Sequence, residues 1–437
     1  MNQSSRRRVF GSQPRLLSYL AGAIAPALLA MTGPVLADGP FQVLTAISFP
    51  SGQTLTAVDI SFVDPVAGVY LLADRTNKSI DVINTNTHAF VKQLQAGFAG
   101  IVLTNGAANN NLSGPDGVLM VDHTTVWAGD GGSWLKIIDL NSGALLKQIN
   151  TGSPSGFRVD EMCFDPVHRV VAAANNADNP PFITMFAADA PYNILGKVVF
   201  DGTNGTPKAT NGIEQCRWAP QIGKFIVAVP EINGPGNNTA PGGVAVIDPV
   251  AMKVTQTYVI TDPACRGPQG TAIGPGNQLA LNCNATTTTV IIDVTNGKTI
   301  VDLPPGSGAG DMVDYNSGNG RYYFTNSNLG ARGGSVRQAL AIVDASAPFT
   351  MTSITSSNKA APSNHSVAAD PVHSVAYFPV GAGSNAGLCS SGGGSDAAGC
   401  IAVISSPDDT MCAVQGAPVV TVGGGFMQSL CSLHAVP

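Results

Sequence analysis

Asp59, Asp116, Asp160, Glu214, Gln269, Asp311 and His365 recur at intervals of 42 to 57 residues, each at the head of a short apolar run. Six of them stand five places before the turn that ends the run, and Asp116 takes the equivalent place in a looser copy. Five of the seven are carboxylates. If the seven heads meet, the charges repel, by about 4 kcal/mol per pair at about 4 Å and an effective dielectric near 20. A bound Ca²⁺, Mg²⁺ or Mn²⁺ would offset this, because hard cations take carboxylate and amide oxygens. Shared protons or a wide, water-filled opening would also do so. The candidate metal ligands are therefore Asp59, Asp116, Asp160, Glu214, Gln269 and Asp311. His365 is the candidate catalytic acid or base, since an imidazole titrates near working pH. The plainer alternatives are a solvated polar opening and, for His365, a hydrogen-bonded structural role.

A second polar row, Asp74, Asp130, Asn175, Glu231, Asn282 and Asn326, closes the strand that follows in most copies. That strand returns to the same end, so these residues are candidate supports for the first row, although Asn and Asp also favour strand ends for their own sake. No GxSxG, HExxH, GxxxxGK[ST] or EF-hand loop occurs, which leaves serine-hydrolase, zincin, nucleotide and helix-loop-helix calcium chemistry without local support. His123, His168 and His373 fall at turns on the opposite end and read as surface residues. Trp127, Trp134 and Trp218 read as packing.

The elements that must position these rows form a repeat. Its first landmark is an apolar strand stopping at a turn, often Asp-Pro: DISFVDP from Asp59, DEMCFDP from Asp160, EQCRWAP from Glu214 and HSVAADP from His365, with looser copies DGVLMVD, QGTAIGP and DMVDYNS. The second is an apolar run closed by Asp or Asn: IDVIN, KIIDL, VAVID, VIID and AIVD, with FITMF and IAVIS as degenerate forms. Each unit reads as four strands, and units of this length are the period of propeller blades. A four-stranded sheet has two apolar faces and buries both only by stacking around an axis. The expectation is an all-β fold, a seven-bladed β-propeller of four-stranded antiparallel blades over residues 38–405. Either residues 41–49 or residues 417–422 supply the strand that closes the last blade. Residues 406–437 form a C-terminal tail. The Gly/Asn/Pro-rich stretches 231–243 and 384–399 are loops, and 231–243 with 327–338 are candidate lids.

Residues 1–37 carry Arg6, Arg7 and Arg8, an apolar stretch and a small-residue terminus at Ala37. They are expected to be a cleaved export signal of the twin-arginine type, which places the mature chain in the periplasm or outside the cell. Removing them takes four arginines and no acid, leaving 18 basic against 28 acidic residues and a formal charge of −10. That balance argues against nucleic acid and anionic membranes as partners. No membrane span is expected in the mature protein, which is expected to act as a monomer on a small-molecule substrate or surface ligand. All eight cysteines lie beyond the signal, and an even count in an exported chain favours disulfides. The pairings taken are Cys163–Cys216, Cys265–Cys283, Cys389–Cys400 and Cys412–Cys431. The absence of CxxCH excludes covalent haem, and no nucleotide motif is present.

In this blade pattern the chain resembles the secreted YVTN-like and lactonase-like β-propellers over about residues 41–405. The resemblance implies the propeller fold and admits sugar-lactone hydrolases with a divalent metal on the axis, lyases, and members without known chemistry. Two functions follow as expectations. One is a metal-dependent hydrolase or lyase acting on a small lactone or carbohydrate-derived substrate at the channel mouth. The other is a non-catalytic scaffold that binds a protein, peptide or glycan.

Overall fold

A computed structural model describes residues 40–356, 365–383 and 387–406. The expected export segment 1–37, the expected Cys412–Cys431 pair and the candidate closing strand 417–422 lie outside the described residues.

Seven four-stranded antiparallel sheets follow one another along the chain. Blade one shows the pattern: Val58–Asp64, Val69–Asp74, Ser79–Asn84 and Ala89–Leu94, paired in sequence order. The inner strands of blades two to seven are Val118–Val121, Met162–Asp165, Cys216–Ala219, Pro268–Ile273, Val313–Asn316 and Ala368–Asp370. The seven-bladed propeller read from the repeat is the fold.

The Asp-Pro turns explain why the first strands stop where they do. Proline fixes its own φ and offers no N–H, while the aspartate side chain accepts from the amides that the turn leaves unpaired. Asp64 Oδ1 takes the N–H groups of Val66 and Ala67, Asp165 Oδ1 takes that of Val167, and Asp370 Oδ1 takes that of Val372. The next strand then begins in register, with Asp64 opposite Val69 and Asp165 opposite Val170.

The inner three strands are apolar on both faces because each blade is sandwiched by its neighbours. Ile183 and Met185 of blade three pack with Phe225 and Val227 of blade four in one buried cluster. The outer strands are largely exposed or half-buried, as in Ala89–Leu94 and Leu145–Asn150, because one face meets solvent. Of the two closing candidates, the N-terminal one is used: Gln42–Ile47 pairs antiparallel with Cys400–Ser405, Val43 opposite Ile404 and Ile47 opposite Ile401. Three of the four expected disulfides are formed, Cys163–Cys216, Cys265–Cys283 and Cys389–Cys400. The first joins the inner strands of blades three and four. Between blades one and two a small hairpin, Leu103–Thr104 with Ala107–Ala108, lengthens the connection and carries Asn110 and Asn111 toward the axis.

Candidate functional site at the channel mouth

Every inner strand runs in the same sense from the ring of heads to the ring of turns, so residues at the start of each strand converge. Neighbouring heads are stitched by backbone hydrogen bonds, Ile60 N–H to Asp116 O at 3.3 Å and Gln215 N–H to Gln269 O at 3.2 Å. Asp59, Asp160, Glu214, Gln269, Asp311 and His365 all line one cavity of about 130 Å³. Asp116 lies just behind it, fully buried against Arg75.

Three charged residues in this cavity were not anticipated: Arg75, Arg158 and Glu161. Arg75 follows the last residue of the second strand of blade one and forms ion pairs with Asp59 and Asp116. Arg158 binds Asp160 through Nε at 2.8 Å and Nη2 at 2.6 Å, and lies 4.0 Å from Asp116. Asn176 Nδ2 donates to the same Asp160 oxygen at 2.7 Å. Arg75 is raised above its ordinary value: burial opposes its charge, but Asp59 and Asp116 outweigh it. Arg158 is raised in the same way, against burial, by Asp160, Asp116 and Asp59. A sequence signal existed for Arg158, because a residue two places before Asp160 on extended chain shares its face.

The other half of the ring has carboxylates without a guanidinium bonded to them. Burial pushes Glu161 and Glu214 well above the usual carboxylate range, and the charges of Asp160 and Asp311 add to it in both cases. The neutral acid is thereby favoured at each. The amide of Gln269 donates to Glu214 Oε1 at 3.3 Å. Opposite them, His365 Nδ1 meets Asp311 Oδ2 at 2.8 Å. Burial works against the imidazolium, yet the hydrogen bond and charge of Asp311, helped by Asp59, raise His365 above its ordinary value. Its ring is 43% exposed and lines the cavity.

The second polar row holds backbone and does not line the cavity. Asn175 donates to Arg158 O at 3.2 Å, and Asn282 donates to Met312 O at 2.8 Å and accepts from Gly310 N–H at 3.3 Å, so these two fix the chain on either side of ring residues. Asp130 pairs with Lys136 at 2.7 Å. Asp74 accepts from Asn77, and Asn326 donates to Gly306 and Gly308 carbonyls. Glu231 gathers the N–H groups of Gly236, Asn237 and Ala240, folding loop 231–243 onto itself. Neither that loop nor 327–338 supplies a lining residue to the cavity or to the groove beside it.

The turn histidines sit at the other end, as expected. His123 pairs with Asp64, His168 with Asp165 and His373 with Asp370, at 2.8, 2.6 and 2.7 Å. Trp127 is fully buried against Phe186 and Tyr192, and Trp218 packs on Phe225.

The expected axial cation does not fit these donors. Asp59, Asp116 and Asp160 are bonded to Arg75 or Arg158, and Asp311 is bonded to His365. Among the described residues, no group of three or more His, Cys, Asp and Glu side chains is placed to hold a metal ion. The repulsion that suggested a cation is reduced by two guanidinium groups, and burial favours the neutral acid at the glutamates. Arg75, Arg158 and Glu161 lie outside the one position per blade that the repeat selects.

Fold and site together define a seven-bladed β-propeller with a small, charged cavity at one mouth of its channel. No family model matches the chain, and no curated protein matches it.

Proposed function

We propose that the channel mouth is an acid–base centre that hydrolyses a small lactone or carbohydrate-derived substrate without a metal ion. The observation that carries this reading is the Asp311–His365 pair sharing one small cavity with two glutamic acids, the buried Glu161 and the half-buried Glu214. The surroundings raise all three groups, so the glutamic acids are kept as neutral acids while His365 becomes a free base only above its ordinary value. The blade-level likeness to lactonase-like propellers points to the same substrate class.

Asp311 holds the Nδ1 proton of His365, which leaves Nε2 as the base. Nε2 takes a proton from water, and the hydroxide adds to the ester carbonyl carbon. N–H groups of Arg158 and Arg75, which line the cavity beside their aspartate partners, donate to the oxyanion as it develops. When the tetrahedral species collapses, the ring C–O bond breaks and the departing alkoxide takes its proton from Glu161 or Glu214. β-Elimination from a uronate would use the same base and acid, with the base taking a C–H proton.

The test is turnover by the purified protein of a panel of aldonolactones and uronate oligosaccharides in the presence of EDTA. Hydrolysis should persist under chelation and fall about 10²- to 10⁴-fold in His365→Gln, the usual range for a positioned acid–base group. Activity that vanishes with EDTA and returns with Ca²⁺ would overturn the metal-free reading. Formation of an unsaturated product would replace hydrolysis by elimination, and saturable binding without turnover would favour the scaffold.

A further inference from the structure

A groove of about 390 Å³ opens beside the axial cavity, and Arg158 and Glu214 line both. Its wall comes from the loop after the second strand of blade three, residues 176–181, from residues 209–212 ahead of blade four, and from Asn111. Four of its twelve lining residues are asparagines, Asn111, Asn176, Asn179 and Asn211, and Asp178 stands among them. No aromatic ring lines it.

Two of these residues carry acceptors without partners. Asn176 and Asp178 are 5% and 4% exposed, and Asn176 Oδ1 and Asp178 Oδ2 lie buried with no hydrogen bond. The other ends of both side chains are fixed. Asn176 Nδ2 donates to Asp160 at 2.7 Å, and Asp178 Oδ1 accepts from the Ser153 hydroxyl at 2.7 Å. A buried acceptor left unmatched costs free energy, and a ligand donor recovers it.

We propose that this groove is a second subsite that receives a polyhydroxylated, sugar-like unit through hydroxyl donors to Asn176 Oδ1 and Asp178 Oδ2. It rests on the acid–base reading of the adjoining cavity and extends it: the substrate spans two units, joined near Arg158 and Glu214. Size agrees with this division. A cavity of about 130 Å³ holds little more than one six-membered ring, since an engineered cavity of about 150 Å³ accommodates benzene. Chemistry agrees as well. A hydroxyl both donates and accepts, as a rim of primary amides requires, whereas the Arg158 guanidinium and the lack of aromatic rings disfavour an organic cation.

The experiment is calorimetric binding of cellobiose, chitobiose and digalacturonate against glucose, N-acetylglucosamine and galacturonate. It uses the unaltered protein, Asp178→Asn and Ala177→Phe. At least one disaccharide should bind about tenfold more tightly than its own monosaccharide. Asp178→Asn, which presents a donor where an acceptor is needed, should abolish that advantage. Ala177→Phe fills the groove from a half-exposed position and carries the test should Asp178→Asn fail to fold. Equal affinity for one and two units in the unaltered protein, or an advantage that survives both substitutions, would overturn the subsite. The readout is binding, so the two readings fail separately. Disaccharide preference without turnover removes the catalysis and keeps the groove; turnover of a single-ring lactone without disaccharide preference does the reverse.

Discussion

The two ends of the channel carry the same chemical pair in different settings. At the turn end, His168 and His373 each meet an aspartate of an Asp-Pro turn, and those aspartates also accept turn amides. The carboxylate there is a turn cap first and the histidine covers it. At the mouth, the Asp311 carboxylate is bonded to His365 and shares a cavity with Glu161, Glu214 and two arginines. A His–Asp pair therefore says little by itself. What distinguishes the mouth is the company of buried groups whose proton affinities its surroundings shift.

The largest expected contrast is in turnover. His365→Gln should lower kcat about 10²- to 10⁴-fold, whereas His168→Gln and His373→Gln should leave it within about twofold. Equal losses at both ends, measured under saturating substrate, would erase the distinction. The next contrast is in stability. Arg158→Met leaves Asp160 buried without its ion pair and should cost about 3–5 kcal/mol in chemical denaturation. Arg169→Met breaks exposed pairs with Asp122 and Asp189 at the turn end and should cost less than about 1 kcal/mol.

A third prediction sharpens the role of Asp311. Its hydrogen bond and charge raise His365 against the opposing effect of burial, so the base form is gained only as pH climbs past the ordinary value of 6.5. Asp311→Asn should move the ascending limb of the kcat/KM profile to lower pH, alongside a loss of rate. A limb that stays in place would separate His365 from the activity.

The smallest effect concerns pH and melting. Glu161 and Glu214 are raised above their ordinary value of 4.5, so the folded chain keeps protons that the unfolded chain has released. Their stabilisation is complete below that value and declines as pH rises through the folded values. Glu214→Gln removes that residue's share of the decline, and its Tm advantage over the unaltered protein should widen from acid to alkaline pH. A constant difference would contradict the raised proton affinity.

The propeller was legible because its signals are local and repeated. An apolar strand and an Asp-Pro turn each act within seven residues, and seven copies make one degenerate unit harmless. The ring was legible for the same reason: a fixed offset from the turn selects one position per blade, and six of the seven line one cavity. What escaped was anything outside that offset. Arg75 belongs to the second strand's end, Arg158 precedes its ring residue by two, and Asn111 reaches the groove from an insertion between blades. Without these positive charges the crowded acids left a cation, shared protons and a water-filled opening equally open. The closing strand could not be chosen beforehand because both candidate segments are short and apolar, and the choice depends on which one meets Cys400–Ser405.

That closure makes the first described strand the final piece of the last blade. Gln42–Ile47 has no sheet to join until Cys400–Ser405 has been synthesised and folded, so nearly the whole polypeptide must exist before the circle is sealed. A chain lacking that segment would keep six complete sheets and leave the seventh with an unpaired border, an open template for another strand. In this architecture the quality of the axial cavity is guarded at the rim: only a molecule whose two distant segments have found each other presents all its heads to one point.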